Sequence, residues 1–246
     1  MNSWKSIWND RSADDFSPDG KTPEEVFMRL KHAMGISRIG KTGEITYKDF
    51  FDQFMKNYNG LIASPNGNFR PKSFFDVGCG TGGYLYLLSR IDGEYVLGGV
   101  DYSEPFVRIA ARVLPGLREM SCGEANQIDA SAQYDCVYSR SIFQYFPDRT
   151  YARTVVDKML RKARHSVGIF DVHDLSKRDD FIAYRRQSIP DYEKKYDDNS
   201  HLFYAKEFFE DIAGESGCEI KFSAAALPNY WNAAFTYDVY FYKKNQ

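Results

Sequence analysis

The chain has no long apolar run, almost no net charge and few cysteines, and each shortage removes a class of protein. No stretch approaches the roughly 18 apolar residues a membrane span needs. The first residues, MNSWKSIWNDRSADD, lack the apolar centre of a secretory signal. No membrane partner is expected, and the reading is of a cytoplasmic protein. With 32 basic and 34 acidic residues the formal charge is −2, so no overall field draws the molecule to nucleic acid. Cys79, Cys122, Cys136 and Cys218 are too widely spaced for a paired metal motif or a disulfide framework, so buried free thiols are expected. There is no internal repeat and no low-complexity segment. What is abundant is aromatic surface: 18 Tyr and 19 Phe exceed what a core of this size needs, and many tyrosines fall in the last third.

At 246 residues the chain suits one α/β domain with an appendage. Residues 1–70 read as a helical N-terminal cap. Thr22-Pro23-Glu24-Glu25 is a capping box, followed by Val26, Phe27, Leu30 and Met34 at helical spacing up to Gly35. A second helix starts near Thr46, carries Phe50, Phe51, Phe54, Met55 and Tyr58 on one face, and is expected to end at Asn59-Gly60. From 71 to 246 short apolar runs alternate with helical stretches, the pattern of a parallel sheet covered on both faces. Strands are expected at 73–79, 95–101, 117–122, 134–139, 166–172, 218–224 and 235–243. Helices are expected near 82–91, 103–114, 148–164 and 205–216, with a short connection at 124–133. Residues 174–204 form a polar, tyrosine-bearing insertion.

The chemistry concentrates at FFDVGCGTGG, residues 74–83. A strand ending in Asp76 runs through Gly78, Gly80, Gly82 and Gly83 into a helix, and missing Cβ atoms let a ligand approach the backbone. The spacing alone is ambiguous. Gly78, Gly80 and Gly83 also satisfy the dinucleotide fingerprint, and Asp101 stands where that fingerprint wants its ribose acid. An NAD-dependent dehydrogenase is therefore one alternative. The surrounding blocks separate the two: VLGGVD at 96–101, SCGEA at 121–125 and YDCVYSRSIFQYFPD at 134–148 follow in order.

In that order and spacing, residues 73–174 resemble the class I S-adenosylmethionine-dependent methyltransferases of small-molecule type. The resemblance implies a Rossmann-like doubly wound sheet of seven strands, mostly parallel, closed by an antiparallel C-terminal hairpin. It implies S-adenosyl-L-methionine as cofactor. Asp76, Gly78, Gly80 and Gly82 would surround its methionyl part, Asp101 would bind ribose and Tyr102 would pack on adenine. Glu124 and Ala125 would read the adenine edge, and Tyr138 and Ser139 would border the sulfonium. Two positions depart from the family: Glu124 stands where Asp is more frequent, and Tyr145 where His is.

The acceptor end is less patterned. His173, in DVHD at the end of the fifth strand, is a candidate base because histidine titrates near neutral pH. Tyr145 is a second catalytic candidate. Arg140 suits an anionic group on substrate or cofactor, and Asp171 and Asp174 are placed to orient His173 or touch substrate. Trp4, Trp8 and the 174–204 insertion, which carries Arg185, Arg186, Tyr192, Tyr196, His201 and Tyr204, are expected to close over a polar small-molecule acceptor. Three acidic or imidazole ligands in one short run rarely converge without others, so no metal is expected. The expected function is methyl transfer to oxygen or nitrogen of a metabolite, sugar or natural-product intermediate. A non-catalytic S-adenosylmethionine-binding regulator is the other alternative.

Overall fold

The structure is a computed structural model that describes residues 16–35, 43–63, 69–192, 201–225, 227 and 230–244. Helix α1 (Pro23–Ala33) begins where the capping box places it. The Glu25 amide donates to the Thr22 hydroxyl (3.3 Å) and the Thr22 amide to the Glu25 carboxylate (2.7 Å), satisfying two amides that the first turn leaves open. Helix α2 (Tyr47–Ile62) is capped in the same way by Thr46 and Asp49. It does not stop at Asn59-Gly60. Leu61 is buried, Gly60 sits against the Tyr240 ring where a Cβ would collide, and the Tyr242 hydroxyl donates to the Gly60 carbonyl (2.7 Å). Packing on the sheet overrides the local stop signal.

Seven strands follow: β1 (Ser73–Val77), β2 (Val96–Asp101), β3 (Glu119–Cys122), β4 (Tyr134–Arg140), β5 (Ala163–His173), β6 (Glu219–Ala224) and β7 (Thr236–Tyr242). They form one sheet in the order β3-β2-β1-β4-β5-β7-β6. The first five are parallel, and β7 runs antiparallel to both β5 and β6. The remaining helices among the described residues are α3 (Gly83–Ile91), α4 (Glu104–Val113), α5 (Arg149–Lys162), α6 (Arg178–Ser188) and α7 (Lys206–Ser216). Residues 125–127 make only a single 3₁₀ turn, in keeping with the short connection expected there. The expected mostly parallel sheet with its antiparallel closing strands is the observed one.

Strand alternation sends each strand's side chains to two separate cores. Phe75, Val77, Val137, Val167, Ile169, Val239 and Phe241 pack with Val155, Met159, Phe209 and Ile212. Phe74, Cys136, Tyr138, Phe170 and Tyr240 pack with Phe27, Phe54, Leu85 and Leu88. Each fully buried apolar side chain contributes about 1.5–3 kcal/mol relative to exposure. Period two therefore places Asp76 on the Phe74 face, beneath α1 and α2.

Three local expectations change. Strand β5 starts at Ala163, immediately after α5, because Lys162 is drawn into a buried polar site at the sheet's amino edge. All four cysteines are free, but only Cys79 and Cys136 are buried; Cys122 is exposed because β3 is an edge strand, and Cys218 is half-buried. The described residues of the insertion are held by packing among their own side chains and Phe235. After a 3₁₀ turn at Leu175–Lys177, α6 buries Phe181, and Tyr204 bridges to Asp174. Trp4, Trp8 and Tyr196 lie outside the described residues. None of the described helices is long and apolar enough to cross a membrane.

Candidate active site

The glycine turn joins β1 to α3. Gly78, Gly80 and Gly82 hold φ values of 79°, 54° and 81°, the left-handed region that side chains resist. The turn is tied to β2 by the Gly78 and Cys79 amides, which donate to the Val100 carbonyl (2.8 and 3.0 Å), and by the Asp101 carboxylate. Asp101 accepts from the Gly80 amide (2.8 Å) and the Ser103 amide (2.9 Å). Each carboxylate oxygen keeps a further lone pair for a ligand hydroxyl. Burial pushes the Asp101 carboxyl up to about 6 against the pull of those amides.

Asp76 is buried, and its Oδ1 has no hydrogen-bond partner. Register places it directly across from Tyr138, whose hydroxyl lies against it. Burial raises its carboxyl to about 8, with Tyr138, Lys31 and Arg140 pulling the other way. Two acids flanking one turn suit a cofactor that carries positive charge there better than the diphosphate of a dinucleotide. An unsatisfied carboxylate oxygen beside left-handed glycines fits the methionyl part of S-adenosylmethionine. The side-chain tips of Ile142 and Met34 lie over the turn, where Cβ atoms at Gly78 and Gly80 would come within 2.7 Å of them.

Tyr102 is half-buried at the end of β2, and Glu124 and Ala125 follow β3. The Tyr151 hydroxyl donates to Glu124 Oε2 (2.9 Å), so a residue that motif reading passed over fixes the acid assigned to adenine. Tyr138 and Ser139 are fully buried, and neither the Tyr138 hydroxyl nor Ser139 Oγ has a hydrogen-bond partner in this structure.

At the ends of β4 and β5 the acceptor candidates divide. Arg140 and Asp171 pair at 3.0 Å. Gln53 of α2 takes Arg140 through its oxygen (2.7 Å) and offers its amide to Asp171 (3.4 Å). Ser141 donates to Asp171 at 2.6 Å, and both residues hold positive φ (57° and 59°), strain of the kind that gathers at functional sites. The Asp171 amide donates to Asp238, which also accepts from Asn57 (3.0 Å). Burial first, then the Asp171 charge, lifts the Asp238 carboxyl to about 7. Tyr145 is half-buried with its ring 5.5 Å from that of His201.

His173 is revised. It is buried among Phe181, Phe203 and His201, with Nε2 against the Asn232 amide (3.2 Å). Burial, then Arg185, drive its pKa down to about 3, below the range in which histidine ordinarily exchanges a proton. Tyr204 is revised too: it is a core residue whose hydroxyl donates to the Phe143 carbonyl (2.8 Å). Tyr192 remains half-exposed under the Arg185 guanidinium (5.7 Å).

Lys31 was not visible as a site residue. It is buried on α1, with its ammonium 5.0 Å from the Tyr84 ring centroid, 5.3 Å from Phe27 and 5.5 Å from Phe50. Burial lowers its pKa to about 7. In sequence it was one basic residue in a helix's last turn, where cations are ordinary.

Comparison with known proteins agrees with this geometry. Residues 74–166 match the model of a methyltransferase domain. The beauvericin nonribosomal cyclodepsipeptide synthetase of Beauveria bassiana is 32% identical over 96 residues, 37% of this chain and 3% of that protein. The malonyl-[acyl-carrier protein] O-methyltransferase of Priestia megaterium is 27% identical over 104 residues, 41% of this chain and 38% of that protein. The matches thus span well under half of either relative. The crystal structure of magnesium protoporphyrin IX methyltransferase from Synechocystis PCC 6803, with S-adenosylhomocysteine bound, superposes with a TM-score of 0.55 at 16% identity, covering 90% of this chain and 98% of that one; it shares the fold. Sheet order, the acid-flanked glycine turn and the family match identify the region around residues 74–166 as a class I S-adenosylmethionine-dependent methyltransferase domain.

Proposed function

We propose that the protein transfers the methyl group of S-adenosylmethionine to an oxygen or nitrogen of a polar small molecule. One observation carries the reading. Buried polar groups from α1, α2, β4 and β5 converge at the carboxyl edge of the sheet, where open α/β sheets bind ligands, beside the glycine turn.

The cofactor supplies an electrophilic methyl on a positively charged sulfur. The chain's own task is alignment and exclusion of water, because an in-line displacement with so good a leaving group needs little else. Asp101, Tyr102 and Glu124 would hold the nucleoside, and Asp76 with the glycine-turn amides the methionyl part. Helices α1 and α2 roof the edge, and the Thr81 hydroxyl ties the turn to α1 by donating to the Leu30 carbonyl (2.9 Å). Arg140, Asp171 and Gln53 stand on the acceptor side.

Calorimetry with S-adenosylmethionine, S-adenosylhomocysteine and NAD tests the reading. The first two are expected to bind saturably and NAD is not. Saturable NAD binding without S-adenosylhomocysteine binding would return the chain to the dinucleotide class.

A further inference from the structure

We propose that Asp238 is a positioning residue for methyl transfer: it holds a bulge in β5 that sets the Asp171 carboxylate on Arg140, beside the cofactor's methionyl end. The inference rests on the transferase reading and adds to it a residue that touches neither cofactor nor acceptor.

An acid in the middle of β7, an interior strand, is a costly choice for folding alone. Asp238 is 1% exposed, and burial, then the Asp171 charge, lifts its carboxyl to about 7. What it does lies on the strand opposite. Ile169 pairs with Val239 and Val172 with Tyr237, so Phe170 and Asp171 together face Asp238 across one step of the ladder. Two residues against one make a bulge. The backbone turn falls on Asp171, whose φ of 59° lies in the left-handed region. The Asp171 amide donates to Asp238 Oδ1 (3.1 Å), a side-chain acceptor at the place where the ladder is broken. From the roof, Asn57 of α2 fixes Asp238 by donating to Oδ2 (3.0 Å), and the Lys56 ammonium stands 3.7 Å from the same oxygen.

The bulge decides where Asp171 points. Val167 and Ile169 enter the core that holds Val155 and Phe209, and strict alternation would send Asp171 after them and Val172 to the opposite face. With the extra residue Val172 returns to that core, while Asp171 reaches the α2 face, where Phe170 also packs. There its carboxylate meets Arg140 at 3.0 Å, Ser141 at 2.6 Å and Gln53 at 3.4 Å. The Arg140 charge is felt at the methionyl end, where it helps pull the Asp76 carboxyl down. Bare, that charge would repel a sulfonium; paired with Asp171, most of its field is cancelled. Asp238 thus acts on the cofactor's charge through Asp171.

The test compares Asp238→Asn, which keeps the accepting oxygen, with Asp238→Val, which removes it. Calorimetry on the full chain gives the affinity for S-adenosylmethionine, which carries the positive sulfur, and for S-adenosylhomocysteine, which does not. In Asp238→Val the first is expected to weaken about ten-fold relative to the second. In Asp238→Asn the ratio should stay within about two-fold of the parent. Asp171→Asn alone is expected to give the same fall, and adding Asp238→Val to it no further one. A ratio untouched in Asp238→Val, an equal fall in Asp238→Asn, or effects that add would each overturn the proposal. Should Asp238→Val not fold, Asp238→Thr, of similar volume but with its acceptor one bond nearer the backbone, replaces it with the same outcomes expected. Exchange of the Asp171 amide, followed by NMR, needs no ligand. It is expected to quicken about ten-fold in Asp238→Val and to hold in Asp238→Asn, with the β1 and β4 amides as in the parent. Exchange indifferent to both substitutions overturns the proposal. Binding of NAD with neither adenosyl ligand defeats the transferase reading and the positioning role with it, and the amide exchange tells that failure from a failure of the bulge.

Discussion

The two edges of the sheet treat buried charge in opposite ways. At the amino edge Lys162 has no exposed side-chain surface, and its ammonium donates to Glu119 (2.6 Å) and to the Asp129 and Ala132 carbonyls (2.8 and 3.0 Å) over the Phe75 ring. Nearby, Asp135 accepts from the Lys72 and Ser73 amides and His165 meets the Ala63 carbonyl; among these the Tyr134 hydroxyl is left without a partner. At the carboxyl edge Lys31 has three rings and no acceptor, and Asp76, Ser139, Arg140 and His173 each keep a buried atom unpaired. Folding alone selects for the first arrangement, because every unmade buried hydrogen bond is costly. The second is what a site looks like when a ligand completes it.

The largest expected effect sets the two lysines against each other. Lys162→Met strands Glu119 and two carbonyls and is expected to cost about 3–5 kcal/mol in urea unfolding. Lys31→Met breaks no hydrogen bond and removes a cation that is itself costly to bury, and is expected to change stability by less than about 1 kcal/mol or to raise it. Equal losses from both substitutions would erase the distinction between the edges.

A second contrast uses two acids. Asp101→Ala removes the tie to the Gly80 amide along with a ribose acceptor. S-adenosylhomocysteine binding is expected to weaken by about 2 kcal/mol, roughly 30-fold by calorimetry. Asp135→Asn, at the amino edge, is expected to lower stability and leave that affinity unchanged. A cofactor effect from Asp135 equal to that from Asp101 would break the comparison.

The pH dependence of stability should also belong to the carboxyl edge. Asp76 has its folded pKa raised to about 8, so the unfolded chain gives up that proton more readily than the folded one. Its contribution is fully present below the ordinary carboxyl pKa of about 4 and is lost as pH rises to 8. Asp76→Asn is expected to flatten the fall in unfolding free energy between pH 5 and pH 8, measured by urea melts at constant salt. An unchanged slope would place the loss on Asp238 or elsewhere.

Much of this was legible in the chain because its signals are local. Short apolar runs announced β1, β2 and β4, the capping box marked the start of α1, and the glycine turn with Asp101 announced the cofactor motif. The acceptor side was not, because its members meet only in space. Lys31 of α1, Gln53 and Asn57 of α2, Arg140 of β4, Asp171 of β5 and Asp238 of β7 carry no mutual spacing rule. His173 shows the converse. Its position at a strand end was read correctly, yet burial, which no local pattern reports, decides what its imidazole does.

The smallest effect asks whether supporting residues at the cofactor end work through position. Tyr151 of α5 touches Glu124 by one hydrogen bond, and that contact is half-buried. Tyr151→Phe keeps the ring against Phe146 and removes only the hydroxyl. A neutral donor to a carboxylate at such a site is worth about 1 kcal/mol, so S-adenosylhomocysteine affinity is expected to fall about five-fold. The fall should vanish for an analogue lacking the exocyclic adenine amine, because Glu124 is assigned to that amine. If both ligands weaken equally, Tyr151 acts on the packing of α5 beneath the site, and the acid at the end of β3 reads something other than adenine.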